Sequence, residues 1–270
     1  MKSVMKSLFL LVLAGAALGE VHKRVYVGPK AQNHGGNAPN NVGQHHVKLE
    51  LHGCSDELVC GGSLISQDWV ITAAHCDCKS LKVIVNAHPD RAHEEVRGID
   101  DKKFCCDNNE HHDLMLLKLK KGNLDKLPTI KLPDTKDCSP PPLKEKVRFY
   151  GWRDATLGAK DLQHEGLHIM KPFTAKQLRF ADTEVVKCQP KRPYDCDATT
   201  KNSYVPGSCV CVQFQDISTN PGDSGGSLVW NKRLYGVLRS GFDYLNEGPS
   251  YFKNICDSLY RTWIKKVTGL

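Results

Sequence analysis

The chain alternates apolar and polar residues over short runs. Val47-Lys48-Leu49-Glu50-Leu51 has the period of two that a half-buried strand requires, and Leu81-Lys82-Val83-Ile84-Val85 reads as another strand. An apolar stretch from Leu64 through Trp69, Val70 and Ile71 delivers His75 beside Cys76, and Asp113 opens the strongly apolar Leu114-Met115-Leu116-Leu117-Lys118-Leu119. A further run begins at Val147-Arg148-Phe149-Tyr150-Gly151-Trp152. Near the end the period changes: Ile255, Leu259, Trp263, Ile264 and Val267 fall on one stripe, which predicts a terminal amphipathic helix with its lysines in solvent. Between these runs, 33–43 is rich in Asn and Gly and reads as an exposed loop. Residues 88–109 are charged and irregular, so a surface segment is expected, and its His93, Glu94 and Glu95 match no metal-ligand spacing. Pro140-Pro141-Pro142 favours an extended connector and puts the boundary between two halves near 133–146. No internal repeat or low-complexity segment is evident.

The first 19 residues change the picture of where the chain works. Lys2 and Lys6 precede an apolar centre, and Ala17-Leu18-Gly19 supplies small residues for cleavage, so 1–19 reads as a signal peptide too short to span a bilayer. No later segment qualifies as a membrane span. An exported, soluble, extracellular chain of about 250 residues is expected, enough for one large or two small cores. Its 12 cysteines then predict a disulfide framework. A metal reading of His75-Cys76-Asp77-Cys78 with Cys105-Cys106 is the weaker alternative, because exported cysteines usually pair with one another. The formal charge is +7, and loss of Lys2, Lys6, Lys23 and Arg24 together with Glu20 leaves +4. Basic residues are interspersed with acidic ones, which gives no support to a nucleic-acid partner. No Asn-x-Ser/Thr sequon is present, so N-glycosylation is not expected.

The chemistry centres on Gly222-Asp223-Ser224-Gly225-Gly226. Glycines on both sides let the backbone turn sharply and present the serine to a ligand. A hydroxyl is a poor nucleophile until a base takes its proton, and the base works best when a third group fixes its tautomer and orientation. His75 is the candidate base and Asp113 the candidate orienting carboxylate. The chain order His, Asp, Ser is that of the chymotrypsin type.

These three blocks, Thr72-Ala73-Ala74-His75-Cys76, His112-Asp113-Leu114-Met115-Leu116-Leu117 and Gly222-Asp223-Ser224-Gly225-Gly226, resemble the trypsin and chymotrypsin family of secreted serine proteases. The resemblance spans residues 25–270. It implies an all-β fold of two six-stranded antiparallel barrels with a C-terminal helix, an active cleft between the barrels, protein or peptide substrates, protein inhibitors, and neither cofactor nor metal. It further implies catalysis by His75, Asp113 and Ser224, with the N–H groups of Gly222 and Ser224 as the oxyanion hole. Because the imidazole must be neutral to act as base, activity is expected to fall below about pH 6 to 7. An activating protease would cut after Arg24 and remove 20–24, and the new Val25 ammonium would pair with Asp223. Implied disulfides are Cys60 with Cys76, Cys188 with Cys209, and Cys138 with Cys256; the other six cysteines have no assigned partner.

The sequence also departs from that family. Val25-Tyr26-Val27-Gly28 replaces the usual isoleucine-valine-glycine-glycine start, and Val147 stands where a cysteine is common. Ser218 takes the place at the base of the substrate pocket, with Ser240 and Gly241 on its wall, so strict preference for Arg or Lys is not expected and an apolar or aromatic residue fits better. Asn220 replaces a cysteine, as in the granzyme branch, whose cysteine-to-nucleophile spacing matches Cys209 to Ser224. In Gly236-Val237-Leu238-Arg239-Ser240-Gly241, either Arg239 replaces the family's serine or one residue is inserted and Ser240 holds it. In both cases an arginine lies near Asp113. These departures leave, as the alternative, a catalytically weak homologue that serves as an extracellular binding module.

Overall fold

The computed structural model describes residues 35–53, 59–106, 112–134, 138–153, 174–189, 196, 207–214, 219, 222–240 and 248–270. They build two β-sheets and one helix. The first sheet orders β6 (Glu95–Arg97), β5 (Ser80–Val85), β2 (His46–His52), β3 (Val59–Leu64), β4 (Trp69–Thr72), β8 (Met115–Leu119) and β7 (Ile99–Phe104). The second orders β1 (Gly35–Asn37), β10 (Thr174–Val186), β11 (Cys209–Gln213), β14 (Ser250–Asn254), β13 (Arg233–Ser240), β12 (Ser227–Trp230) and β9 (Lys146–Arg153), and β9 pairs back onto β10. That last pairing closes six strands into a barrel, with β1 added outside. Among the described residues the first sheet stays open in its hydrogen bonding. Its edge strands β6 and β7 are consecutive in the chain, and Gly98 alone turns the corner between them. This mostly-β, chymotrypsin-like arrangement has one half-barrel where the sequence predicts a second closed barrel.

The alternating run at 47–51 falls inside β2, and its apolar set Val47, Leu49 and Leu51 enters the first core with Leu64, Val70, Val83, Val85, Met115 and Leu117. β8 does not alternate because both its faces are covered: Met115, Leu117 and Leu119 point into that core. Leu114 and Leu116 pack with Ile71, Leu234, Ile255 and Ile264 against the other sheet and the helix. The second core gathers Val147, Phe149, Val210, Val212, Leu228, Leu238 and Phe252. The stretch expected to be irregular at 88–109 holds β6 and β7. They are edge strands without the usual pattern: β6 buries Arg97 and exposes Val96, and β7 is charged along Asp100-Asp101-Lys102-Lys103.

The helix α1 (Ser258–Thr268) begins later than the stripe at 255 because the Asp257 side chain accepts from Leu259 N–H at 2.9 Å and caps it. Gly269, at φ 80°, ends it in the left-handed conformation.

Cys60 bonds Cys76 and Cys138 bonds Cys256. The expected Cys188–Cys209 pairing is corrected: Cys188 bonds Cys211, and Cys209 bonds Cys196. Cys209 and Cys211 lie two apart on β11 and face the same way, so either could receive Cys188. The β10 ladder ends with Val186 opposite Cys211, which brings Cys188 out of the sheet at that end, 5.2 Å from Cys211 between Cα atoms. Cys105 bonds its neighbour Cys106, and Cys78 is also in a disulfide. The thiols of the metal alternative are therefore consumed. Cys54, the signal segment 1–19 and the activation segment 20–24 lie outside the described residues.

Candidate active site

Strand β4 is buried along its whole length and ends at Thr72, after which Ala73 turns the chain into a single 3-10 turn at Ala74–Cys76. The Cys60–Cys76 disulfide ties that turn to β3. His75 is the outward residue of the turn, with its side chain 38% exposed. β4 pairs with β8, Thr72 lying opposite Met115, so Asp113 arrives beside the turn from the neighbouring strand.

The Asp113 carboxylate grips His75 at two points. Oδ1 accepts the His75 backbone N–H at 2.8 Å, and Oδ2 meets Nδ1 at 2.7 Å. Burial pushes the Asp113 carboxyl up, but the His75 hydrogen bonds and charge, with the Arg239 guanidinium, outweigh it and hold the group below its ordinary value. An ionised carboxylate can only accept, so Nδ1 carries the hydrogen and a neutral ring presents the lone pair at Nε2. That is the tautomer a general base needs.

The serine comes from the other sheet. Gly222 (φ 105°) and Gly225 (φ 77°) bend the chain around Ser224 just before β12. Side chains are excluded at Gly225 because a Cβ there would run into Gly61 O, Thr72 Oγ1 and Ala73 N. The turn is thus pressed onto the segment that carries His75. Gly61 N–H donates to Ser224 O at 2.7 Å, and Thr72 Oγ donates to Gly61 O at 2.7 Å. From the other side, Gly225 N–H donates to Leu238 O and Leu238 N–H to Gly226 O, both at 2.8 Å. Ser224 is 8% exposed and Asp223 is buried against Gly151. Among the described residues no side-chain hydrogen bond joins Ser224 to His75; backbone packing brings them to one junction.

The register of β13 places Arg239 at an irregularity in the strand. Leu238 faces Phe252 and Ser240 faces Tyr251, so one extra residue bulges between them, and that residue is Arg239. Its Nε lies 3.7 Å from Asp113 Oδ2. Ser240 remains at the strand end with its hydroxyl oxygen buried. Of the other expected site residues, Arg24, Val25, Ser218 and Gly241 lie outside the described residues, as does Asn220.

Two buried polar groups escape sequence reasoning. Thr219 and Ser250 share a buried hydrogen bond of 2.7 Å. His45 and His46 meet the start of β12, with Ser227 Oγ 3.4 Å from His45 Nε2 and 3.0 Å from His46 Nδ1. Adjacent histidines ahead of an alternating strand were the available signal, since one of the two must face inward. Burial holds His45 down at about 4, and His46 well below its ordinary value.

The family model described as Trypsin matches residues 33–264. Alpha-fibrinogenase albofibrase of Trimeresurus albolabris is 29% identical over 238 residues, covering 84% of each chain. The thrombin-like enzyme cerastocytin of Cerastes cerastes is 27% identical, covering 86% of each. Among solved structures, mouse neuropsin, a serine protease, superposes with a TM-score of 0.64 at 26% identity, over 86% of this chain and 98% of that one. With its match running through most of its length, the chain belongs to the trypsin family of serine endopeptidases.

Proposed function

We propose that this is a secreted endopeptidase that cleaves exported proteins through Ser224, His75 and Asp113 and an acyl-enzyme intermediate. The observation that carries the reading is the two-point grip of Asp113 on His75, which fixes the tautomer and orientation of a ring whose side chain is 38% exposed. Ser224 Oγ attacks the peptide carbonyl carbon while its proton passes to His75 Nε2, and Asp113 stabilises the imidazolium that forms. The N–H groups of Gly222 and Ser224 receive the oxyanion. His75 then gives its proton to the departing amine as the C–N bond breaks. Water, deprotonated by the same nitrogen, releases the acyl group and restores the serine.

The leader at 1–19 supports export, in keeping with relatives that are snake venom serine proteases. The dibasic Lys23-Arg24 supports activation by another protease, with Val25 and Asp223 as the switch pair. Asp223, buried beside Gly151 and directly before Ser224, is the residue to which the new ammonium would come, since a cation offsets the cost of burying a carboxylate. Ser218, Ser240 and Gly241 would line a pocket for an uncharged side chain.

The decisive experiment is labelling of the activated protein by a fluorophosphonate. Strong labelling that disappears in Ser224→Ala is expected. Equal and negligible labelling of both would overturn the reading.

A further inference from the structure

The bulge in β13 gives the Asp113–His75 pair a third member. Because Arg239 is the extra residue between two ladder positions, its side chain turns off the sheet, and it reaches the same carboxylate oxygen that meets His75 Nδ1. Arg239 and Asp113 are each only 12% exposed. We propose that Arg239 is a positioning residue that divides the field of Asp113, keeping His75 a free base to lower pH and slowing the step in which the imidazolium forms. The inference rests on the hydrolytic reading of this site.

The guanidinium is charged at every working pH. When His75 accepts the serine proton, two cations therefore share one carboxylate that is itself mostly buried, and a like charge at that range disfavours the second cation. Other ionisable groups nearby are occupied elsewhere. Asp77 bonds Lys102 Nζ at 2.6 Å, and His112 Nδ1 lies 3.2 Å from Tyr260 Oη, which Lys253 also approaches at 3.5 Å. Asp223 faces Gly151 on the far side of the nucleophile turn. Among the described residues, the charged groups acting on the Asp113 carboxyl are His75 and Arg239.

The test compares the activated wild type with Arg239→Gln and Arg239→Lys, following the His75 ring by NMR titration and kcat/KM across pH. Arg239→Gln should raise the His75 midpoint and the acidic limb of kcat/KM together, by about one pH unit. It should also raise the kcat plateau several-fold while leaving KM within about twofold, since only a transition-state interaction changes. Arg239→Lys, which keeps the charge, should stay within about 0.3 pH unit of wild type. An unchanged or lowered midpoint in Arg239→Gln overturns the proposal. If that variant does not fold, Arg239→Met keeps the stem and gives the same reading. Loss of all fluorophosphonate labelling in wild type would sink the hydrolytic reading instead, and the ring titration would still decide the role of Arg239.

Discussion

Asp113 does two jobs with two oxygens, and they can be separated. In Asp113→Asn the side chain keeps its shape, so the fold should survive with little change in melting temperature. An amide can donate to Nδ1 and so favour the wrong tautomer, and kcat should fall by about 10⁴-fold. Gly225 makes a sharper residue-level case. Alanine there would combine a positive φ with contacts on Gly61 O and Thr72 Oγ1, and Gly225→Ala should cost about 1–3 kcal/mol in urea unfolding and abolish fluorophosphonate labelling. At this scale the sequence was informative where chemistry demands a fixed string. His75, Asp113 and Ser224 stood out because a nucleophile, its base and its orienting group need those residue types framed in those ways. The partner of Cys188 was not legible, since Cys209 and Cys211 share one face and only the end of the β10 ladder chooses between them. The bulge at Arg239 was open for a similar reason: register is a property of two strands, and one strand's letters do not contain it.

Among the elements, β8 and α1 show what periodicity does and does not reveal. The run 114–119 lacks alternation because two cores claim opposite faces of the same strand. A continuous apolar run therefore identifies a strand between layers without saying which residue enters which layer. Leu116 faces the helix side, and Leu116→Ala should lower stability by about 2–5 kcal/mol, read by chemical denaturation. Asp257→Ala is milder, removing only a cap, and should cost about 1 kcal/mol by the same measurement. Strands β6 and β7 were missed because their burial is partial and inverted: β6 buries Arg97 against Glu95 while Val96 faces out, so the hydrophobic signal that marks interior strands is absent.

For the molecule as a whole, the seam between the sheets sets a pH limit separate from catalysis. His45 is held neutral by burial to about pH 4, against 6.5 when exposed, and His46 is held well below its ordinary value by burial and by the neighbouring His45 and His88. The unfolded chain binds these protons first, so stability is full above about pH 6.5 and falls as the medium is acidified toward 4. The slope should be about 1.4 kcal/mol per pH unit for each histidine. Urea unfolding between pH 7 and 5 measures it, and His45→Gln should remove one histidine's share. Tyr150 and Trp152 pack on these rings, and the Trp152 indole N–H donates to Val47 O at 3.0 Å, so β9 is bound into the same seam. The two-sheet architecture was legible through the family resemblance; the histidine seam was not, because it forms only when strands from both halves meet.

Gly61 touches both ends of the machinery. Its amide holds the Ser224 carbonyl, and its neighbour Cys60 is stapled to the turn bearing His75. A single covalent tie thus governs how two halves of the reaction centre face each other. Reducing that tie should disarm the protease before the fold melts, measurable as lost labelling in dithiothreitol at unchanged circular dichroism.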